Sequence, residues 1–197
     1  MRGPVAEFGS VIYIRWKLQP SRHLAEIILT PWAGRKPVAV MFFDNQSSSA
    51  DLNWLREGLA DKLITDLSRS KNLTVLSRQQ LNLLLERIGH KESEKTRLDE
   101  ALEVAQKSHA KIVILGSFGR LGERIRIDVQ LHDARDGQLL AAERLLVDQP
   151  AQILSQVDVL SLKLASHLGG QHERDANAGL TNVMTNNLEA YRYYSLG

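Results

Sequence analysis

The chain has 197 residues, enough to bury roughly 70% of the surface its unfolded form exposes around one core. Its 43% apolar and 24% charged residues are the proportions of a globular fold. It contains no cysteine, which excludes a disulfide frame and a thiolate metal site without choosing between cytosol and periplasm. The net charge of +2 is uneven: residues 1–36 hold six Lys/Arg against Glu7 and Glu26, and the remainder holds nineteen basic against twenty-one acidic residues. A body so close to neutrality lacks the electrostatic footprint that dominates nucleic-acid affinity, so DNA or RNA binding is not expected.

Residues 1–36 read as a tag, a linker or the end of an upstream region. Glu7-Phe8-Gly9-Ser10 is what two adjacent cloning sites would encode. Val11 to Leu18 has the pattern of a strand, but it carries two charges and is far too short to span a bilayer. The charged and apolar regions of a signal peptide are not visible. Pro31 and the run Gly34-Arg35-Lys36-Pro37 set the boundary of a folded domain over 37–170.

Within it, Val38 to Phe43 is a continuous apolar run, expected as a strand buried on both faces. Asp44-Asn45-Gln46-Ser47 follows as a loop. Asp51 is placed to cap a helix in which Leu52, Leu55, Leu59, Leu63 and Leu67 recur every three or four residues. Leu73 to Leu76 predicts a short strand. Ser77-Arg78-Gln79-Gln80 has the form of a capping box opening a helix with Leu81, Leu84, Leu85 and Ile88 inward. Gly89 fits the left-handed position beyond it.

Thr96-Arg97-Leu98-Asp99 predicts the next helix start, with Leu98, Ala101, Leu102 and Ala105 on one face. Lys111 to Phe118 is the most apolar strand and is expected at the centre of the sheet. From Arg124 to His132 the pattern alternates: Ile125, Ile127, Val129 and Leu131 face the core, and Arg124, Arg126, Asp128, Gln130 and His132 face away. Turns are expected at Gly122 and at Asp136-Gly137, the latter a strong hairpin signal. A last helix carries Ile153, Val157, Leu160, Leu164 and Leu168 and stops near Gly169-Gly170. The order predicts an α/β fold with a single mixed β-sheet and flanking helices.

No constellation reads as catalytic. Asp44 to Ser49 lies beyond the carboxyl end of the first strand, where open α/β sheets commonly bind ligands, and the helix start that follows would favour an anion. The same residue types make turns and caps by bonding their own backbone, which is the stronger reading. Gly116, Gly119 and Gly122 lack the spacing of a phosphate loop and join two strands, so they read as a close-packed strand and a hairpin turn. Six histidines are scattered, with no pair at metal-ligand spacing. Arg120, Arg124, Arg126 and Arg135 gather on one hairpin, either as a partner-facing patch or, more simply, as a solvated face interspersed with Asp128, Asp133 and Asp136. No nucleophile elbow accompanies a usable His and Asp, and no cofactor is implied.

Val38-Ala39-Val40-Met41-Phe42-Phe43-Asp44-Asn45, then Leu55-Arg56-Glu57-Gly58-Leu59-Ala60-Asp61-Lys62-Leu63-Ile64, then Ser77-Arg78-Gln79-Gln80-Leu81 resemble successive landmarks of the TolB amino-terminal-like domain, a relative of the CsgG-like envelope domain. Ile114-Leu115-Gly116-Ser117 and Asp133-Ala134-Arg135-Asp136-Gly137 complete the series, over about residues 36–170. Thr185 to Gly197 resembles the entry into tetratricopeptide repeats, which places a linker and repeat start at 171–197. In relatives of this kind the domain stands within bacterial signalling chains that carry a kinase, a nucleotide cyclase or a DNA binder upstream, often across a membrane span. The resemblance implies a non-catalytic recognition or sensory module that contacts a protein partner or the neighbouring repeats. It implies an extracytoplasmic place on a membrane-anchored protein. Asp44, Asn45, Ser47, Glu57 and Asp61 are the candidate contact surface. A nucleotide or sugar sensor and a homo-oligomeric assembly module of the cell envelope are the alternatives.

Overall fold

The computed structural model describes residues 34–47, 49–90, 95–169 and 192–193. Val11 to Leu18 and the repeat-like segment from Thr185, apart from the helical pair Arg192 and Tyr193, lie outside the described residues. The elements run β1 (Lys36–Val40), β2 (Asp44–Asn45), a single 3-10 turn (Ala50–Leu52), α1 (Leu55–Ser68), β3 (Leu73–Val75), α2 (Arg78–Arg87) and α3 (Leu98–Ser108). They continue with β4 (Ile112–Leu121), β5 (Arg124–Asp133), β6 (Leu139–Val147), a second 3-10 turn (Pro150–Gln152) and α4 (Ile153–His167). The sheet order is β3-β1-β4-β5-β6, with β2 paired to β4. β1, β2, β3 and β4 run parallel, β5 runs antiparallel to β4, and β6 runs antiparallel to β5. This is the single mixed sheet that the sequence pattern predicts, with β4 at its centre.

Helices cover the two faces unequally. α1 and α4 pack on one face, where Leu55, Leu59, Leu63 and Leu67 meet Ile153, Val157, Leu160 and Leu164 over inward residues of β1, β4, β5 and β6. On the other face α2 and α3 bury Leu81, Leu84, Leu85, Ala101, Val104 and Ala105 against Met41, Val113 and Ala134. Burying one such leucine stabilises by about 1.5–3 kcal/mol, so the α1 stripe alone outweighs any surface ion pair in the molecule. The face of α3 is shifted from the predicted one: Val104 is buried where Leu98 is 37% exposed. Leu98 and Leu102 instead lie over the turn at Gly137.

Local signals explain most boundaries. Gln80 N–H donates to Ser77 Oγ at 3.3 Å, and Ser77 N–H donates to Gln80 Oε1 at 3.1 Å, the reciprocal capping box predicted for α2. Gly89, at φ 76°, and Gly169, at φ 73°, follow α2 and α4 in the left-handed region. Gly122 (φ 62°) is the first of two residues joining β4 to β5, and Glu123 after it has an ordinary negative φ. A positive first position alone is the pattern of a type II′ hairpin.

Other expectations are corrected. Asp51 does not cap α1, whose N-terminus has no side-chain cap; its carboxylate pairs with Arg120 at 2.9 Å. At α3 the cap lies one residue later than Thr96, with Glu100 Oε2 accepting the Arg97 N–H at 3.1 Å. His132 is buried, not solvent-facing, because its ring folds back so that Nδ1 lies 2.9 Å from the Gly137 carbonyl.

The apolar run at β1 is buried as expected but is not one strand. β1 ends at Val40. Met41 N–H still donates to Ile114 O (2.9 Å), whereas Phe43 N–H turns to Arg56 O (3.0 Å). The chain then rejoins the sheet as β2, with Asp44 opposite Ser117 and Asn45 opposite Phe118. The residues expected to open a loop therefore extend the sheet. At the break, the fully buried Phe43 ring lies on Gly116, where a Cβ would come within 2.2 Å of Phe43 Cε1. Gly116→Ala is expected to destabilise by about 1–3 kcal/mol through overpacking. The loss should shrink in a Phe43→Leu background, because the two residues share one space. Urea unfolding of the four variants tests this, and additive losses would contradict it.

Candidate functional site

The polar residues beyond β1 are held by one another. Asn45 Nδ2 donates to Ser49 O (3.0 Å) and to Asn53 Oδ1 (2.8 Å). Asn45 Oδ1 accepts from Ser47 N–H (2.9 Å) and from Ser47 Oγ (2.6 Å). This is an Asx turn that closes the loop on itself. Gln46 N–H donates to Phe118 O at 2.7 Å, and Arg126 Nη2 donates to Gln46 Oε1 at 3.1 Å. The loop is thereby stitched down onto β4 and β5. Asn45 and Ser47 shape it, and their polar atoms point inward.

Asp44 does something different. Its Oδ1 accepts the Thr96 N–H at 3.1 Å, which joins β2 to the residues entering α3. Burial raises the pKa of its carboxyl above the ordinary aspartate value, and the Thr96 N–H, Arg56, Lys95 and His90 oppose that rise. The strand-end position that commonly receives a ligand anion thus holds a carboxylate of the chain itself.

Glu57 and Asp61, one turn apart on α1, form a separate group. Both pair with Arg78, the first residue of α2: Arg78 Nη1 donates to Asp61 Oδ2 at 2.8 Å, and Nη2 meets Glu57. Burial pushes Asp61 up to about 6. Among the described residues, no hydrogen bond or ion pair connects this seam to the Asp44 loop. The five candidate residues therefore fall into two bonded groups, the Asp44 loop and the Arg78 seam. A further seam, not read from the sequence, joins α1 to α4: Lys62 Nζ meets Asp66 Oδ2 at 2.7 Å and also pairs with Asp158. Burial raises the Asp66 carboxyl too, against the opposing Lys62.

The arginines of the hairpin have carboxylate partners. Arg120 pairs with Asp51, Arg124 with Asp148 (2.8 Å), Arg126 with Asp128 (2.8 Å) and Arg135 with Asp133 (2.7 Å). The solvated-face reading is the one this geometry fits. The described residues contain no group of His, Asp and Glu able to hold a metal ion. None of their helices is long and apolar enough to cross a membrane.

Among the described residues, part of the sheet has no helix over it. α2 and α3 pack against β1 and β4 but leave the outer side of β5 and β6, with Gln130, Ala142, Arg144 and Leu146 exposed. Beside it, β6 forms the sheet edge, and Leu139, Leu140 and Leu146 are 51%, 49% and 46% exposed. Single exposed leucines are ordinary; several on one edge strand are not. The run Leu139 to Val147 has no strict alternation, so periodicity could not show which leucines face water.

The profile of the family described as the curli production assembly/transport component CsgG matches residues 24–128. Among curated proteins, "Putative adenylate cyclase 3" of Rhizobium meliloti (strain 1021) is 28% identical over 157 residues, 76% of this chain. The chain spans only 24% of that relative's length. Two solved structures share the fold at a TM-score of 0.50 each. The LpoB C-terminal domain from Salmonella enterica is 18% identical, with 64% of this chain and 94% of that chain covered. Lipoprotein GNA1162 from Neisseria meningitidis is 14% identical, with 66% and 96% covered.

Two outcomes follow from the clusters. Asn45→Ala is expected to cost about 1–3 kcal/mol in urea unfolding, because it leaves loop donors and acceptors without partners; an unchanged midpoint would contradict its structural role. Asp61 has a folded-state pKa near 6, above the unfolded value of about 3.9. The native state then binds the proton more tightly, so this residue's contribution falls as pH rises between about 4 and 6. Asp61→Asn should remove that slope and gain about 2 kcal/mol on wild type between about pH 4 and pH 7. Stability curves that run parallel would refute it.

Proposed function

The chain belongs to the CsgG family, and from that premise we propose that its domain is a non-catalytic recognition module of a bacterial multidomain signalling protein. Its work is protein–protein contact. The observation that carries the reading is the partly covered sheet: among the described residues, one face is packed from β1 to β6, whereas no element covers the outer side of β5 and β6 or pairs with the β6 edge. Asp44, Asn45, Ser47, Glu57 and Asp61 each bond within the fold, and they remain the candidate contact residues of this proposal.

Domain context supports the signalling part. A relative named as a cyclase aligns with this chain over less than a quarter of the relative's own length, as expected of a module set within a larger protein. The division proposed is an upstream or linker region over 1–36, the recognition domain over 37–170, and a linker with the start of a repeat helix over 171–197. The family description, a curli assembly and transport component, supports an extracytoplasmic place on a membrane-anchored protein.

Thermal unfolding of the full chain with nucleotides, sugars and phosphate, together with sedimentation velocity over a range of concentrations, tests the proposal. The expected outcome is an unchanged midpoint and a constant mass. A ligand present at a hundred times its dissociation constant adds about 2.7 kcal/mol, or roughly 2–4 °C per kcal/mol for a domain of this size. Such a rise with a nucleotide or sugar would replace this reading with a small-ligand sensor. A mass that grows with concentration would replace it with an assembly module.

A further inference from the structure

Helix α4 meets α1 through apolar residues and through a charged rung. Lys62 of α1 bridges Asp66, one turn on in the same helix, and Asp158 of α4. The rung runs inward from the surface: the side chains of Asp158, Lys62 and Asp66 are 49%, 17% and 4% exposed. Asp66 is satisfied on one side only. Its Oδ2 accepts from Lys62 Nζ at 2.7 Å, whereas Oδ1 is buried without a hydrogen-bond partner. Among the described residues it is the one carboxylate oxygen so placed. Ser161, buried on α4 one turn beyond Asp158, gives it no donor, because its Oγ donates to the Asp158 carbonyl of its own helix at 2.8 Å.

A half-satisfied buried charge raises the free energy of the closed seam relative to any state in which water reaches the carboxylate. Apolar residues of similar volume would hold the two helices at least as well. The penalty is also local. Moving α4 away hydrates Asp66 but breaks no pairing between strands, because the strands bond to one another within the sheet. The polar ties at the far end of α4 are few: Lys36 Nζ and Asn72 Nδ2 reach the Leu168 and Gly169 carbonyls, and Glu143 of β6 meets Lys163 and His167. Ion pairs near the surface add little individually.

We propose that α4 is a releasable strap: it leaves α1 in a local opening while the sheet stays paired, and the Lys62–Asp66–Asp158 rung sets how often it does so. The open state bares Leu59, Leu63 and Leu67 of α1, so access to that side of the domain is governed from within the fold. Acidity tunes the strap. Burial holds the Asp66 carboxyl above the ordinary aspartate value, with Lys62 and Arg69 of α1 opposing that rise and Asp158 of α4 adding to it. Opening returns the group to water and to its ordinary value, so the closed state binds the proton more tightly. Rising pH therefore favours the open strap.

The chain contains no cysteine, so a single introduced thiol reports opening at its own position. In the full chain, Ala165→Cys sets a thiol in the cluster beneath α1 and α4, and Ala39→Cys sets one on the opposite face, beside Val113 under α2 and α3. Maleimide labelling is followed by mass spectrometry, and each rate is divided by that of the urea-unfolded chain at the same pH. The thiol at 165 is expected to react at least about tenfold faster than the thiol at 39, as a local opening requires. Its rate should change little in dilute urea, because a local opening exposes little surface. Adding Lys62→Met with Asp66→Leu should slow labelling at 165 about tenfold or more. Asp66→Asn, which keeps the shape of the side chain, should abolish the rise of labelling with pH. Equal rates at the two positions, or labelling at 165 as sensitive to urea as global unfolding, overturn the strap. An unchanged rate in the apolar double variant, or a pH slope that survives Asp66→Asn, overturns the control assigned to the rung. If the double variant does not fold, Asp66→Asn alone decides that second point.

Discussion

Strand β4 covers ten residues, and its parallel neighbour β1 covers only five. The outer half of β4 is inside the sheet, so its backbone groups on that side need a second partner, since buried N–H and C=O groups are rarely left unpaired. The chain meets this need with itself. It breaks after Val40, turns the Phe43 ring onto Gly116, and resumes beside β4 as Asp44–Asn45. From that one solution follow the position of α1, whose Arg56 carbonyl receives the Phe43 N–H, and the bracing of the Asn45 loop. It also sends Asp44 toward Thr96 at the entry to α3. The place where many open α/β sheets hold a ligand is here a joint in the backbone.

The electrostatics are of a piece with that joint. Arg78 ties α2 to α1, Lys62 ties α1 to α4, and the hairpin arginines each meet a carboxylate on or beside the sheet. Exposed pairs of this sort add little individually, typically under about 1 kcal/mol. Their effect is on character: they leave few uncompensated charges over β5 and β6. A surface with matched charges and a leucine-lined edge offers apolar contact and little net field. It is poorly suited to drawing in nucleic acid by field, in keeping with the near-neutral body that the composition describes.

The periodic and capped elements are legible in the amino-acid sequence. The leucine stripe of α1, the reciprocal Ser77–Gln80 box, Gly89 and Gly169 past helix ends, and the alternation of β5 each depend on residues close along the chain. What the sequence hides depends on partners far away. Val38 to Phe43 is apolar throughout, so nothing local shows that the ladder breaks at Val40; the cause is Gly116, more than seventy positions on. Asp51 has the form of a cap but meets Arg120 across the loop. His132 belongs to an outward row by alternation, yet the turn at Gly137 gives its ring a carbonyl. The candidate site divides in the same way: Asp44, Asn45 and Ser47 stand out as a group because they are nearly consecutive. Their separation from Glu57 and Asp61 is a property of how α2 docks on α1.

Lys36, the first residue of β1, donates through Nζ to the Leu168 carbonyl at 2.8 Å, and Asn72 Nδ2 reaches the Gly169 carbonyl at 3.2 Å. β1 and the end of α4 are thus a lysine side chain apart. A tension applied between those two points would load α4 and β1 directly, at one corner of the sheet, and would bypass the long β4–β5–β6 ladder. In a larger polypeptide under mechanical strain, α4 would be the element positioned to peel away first. Its departure would uncover the leucine-rich groove of α1 while the hairpin half of the sheet kept its hydrogen bonds.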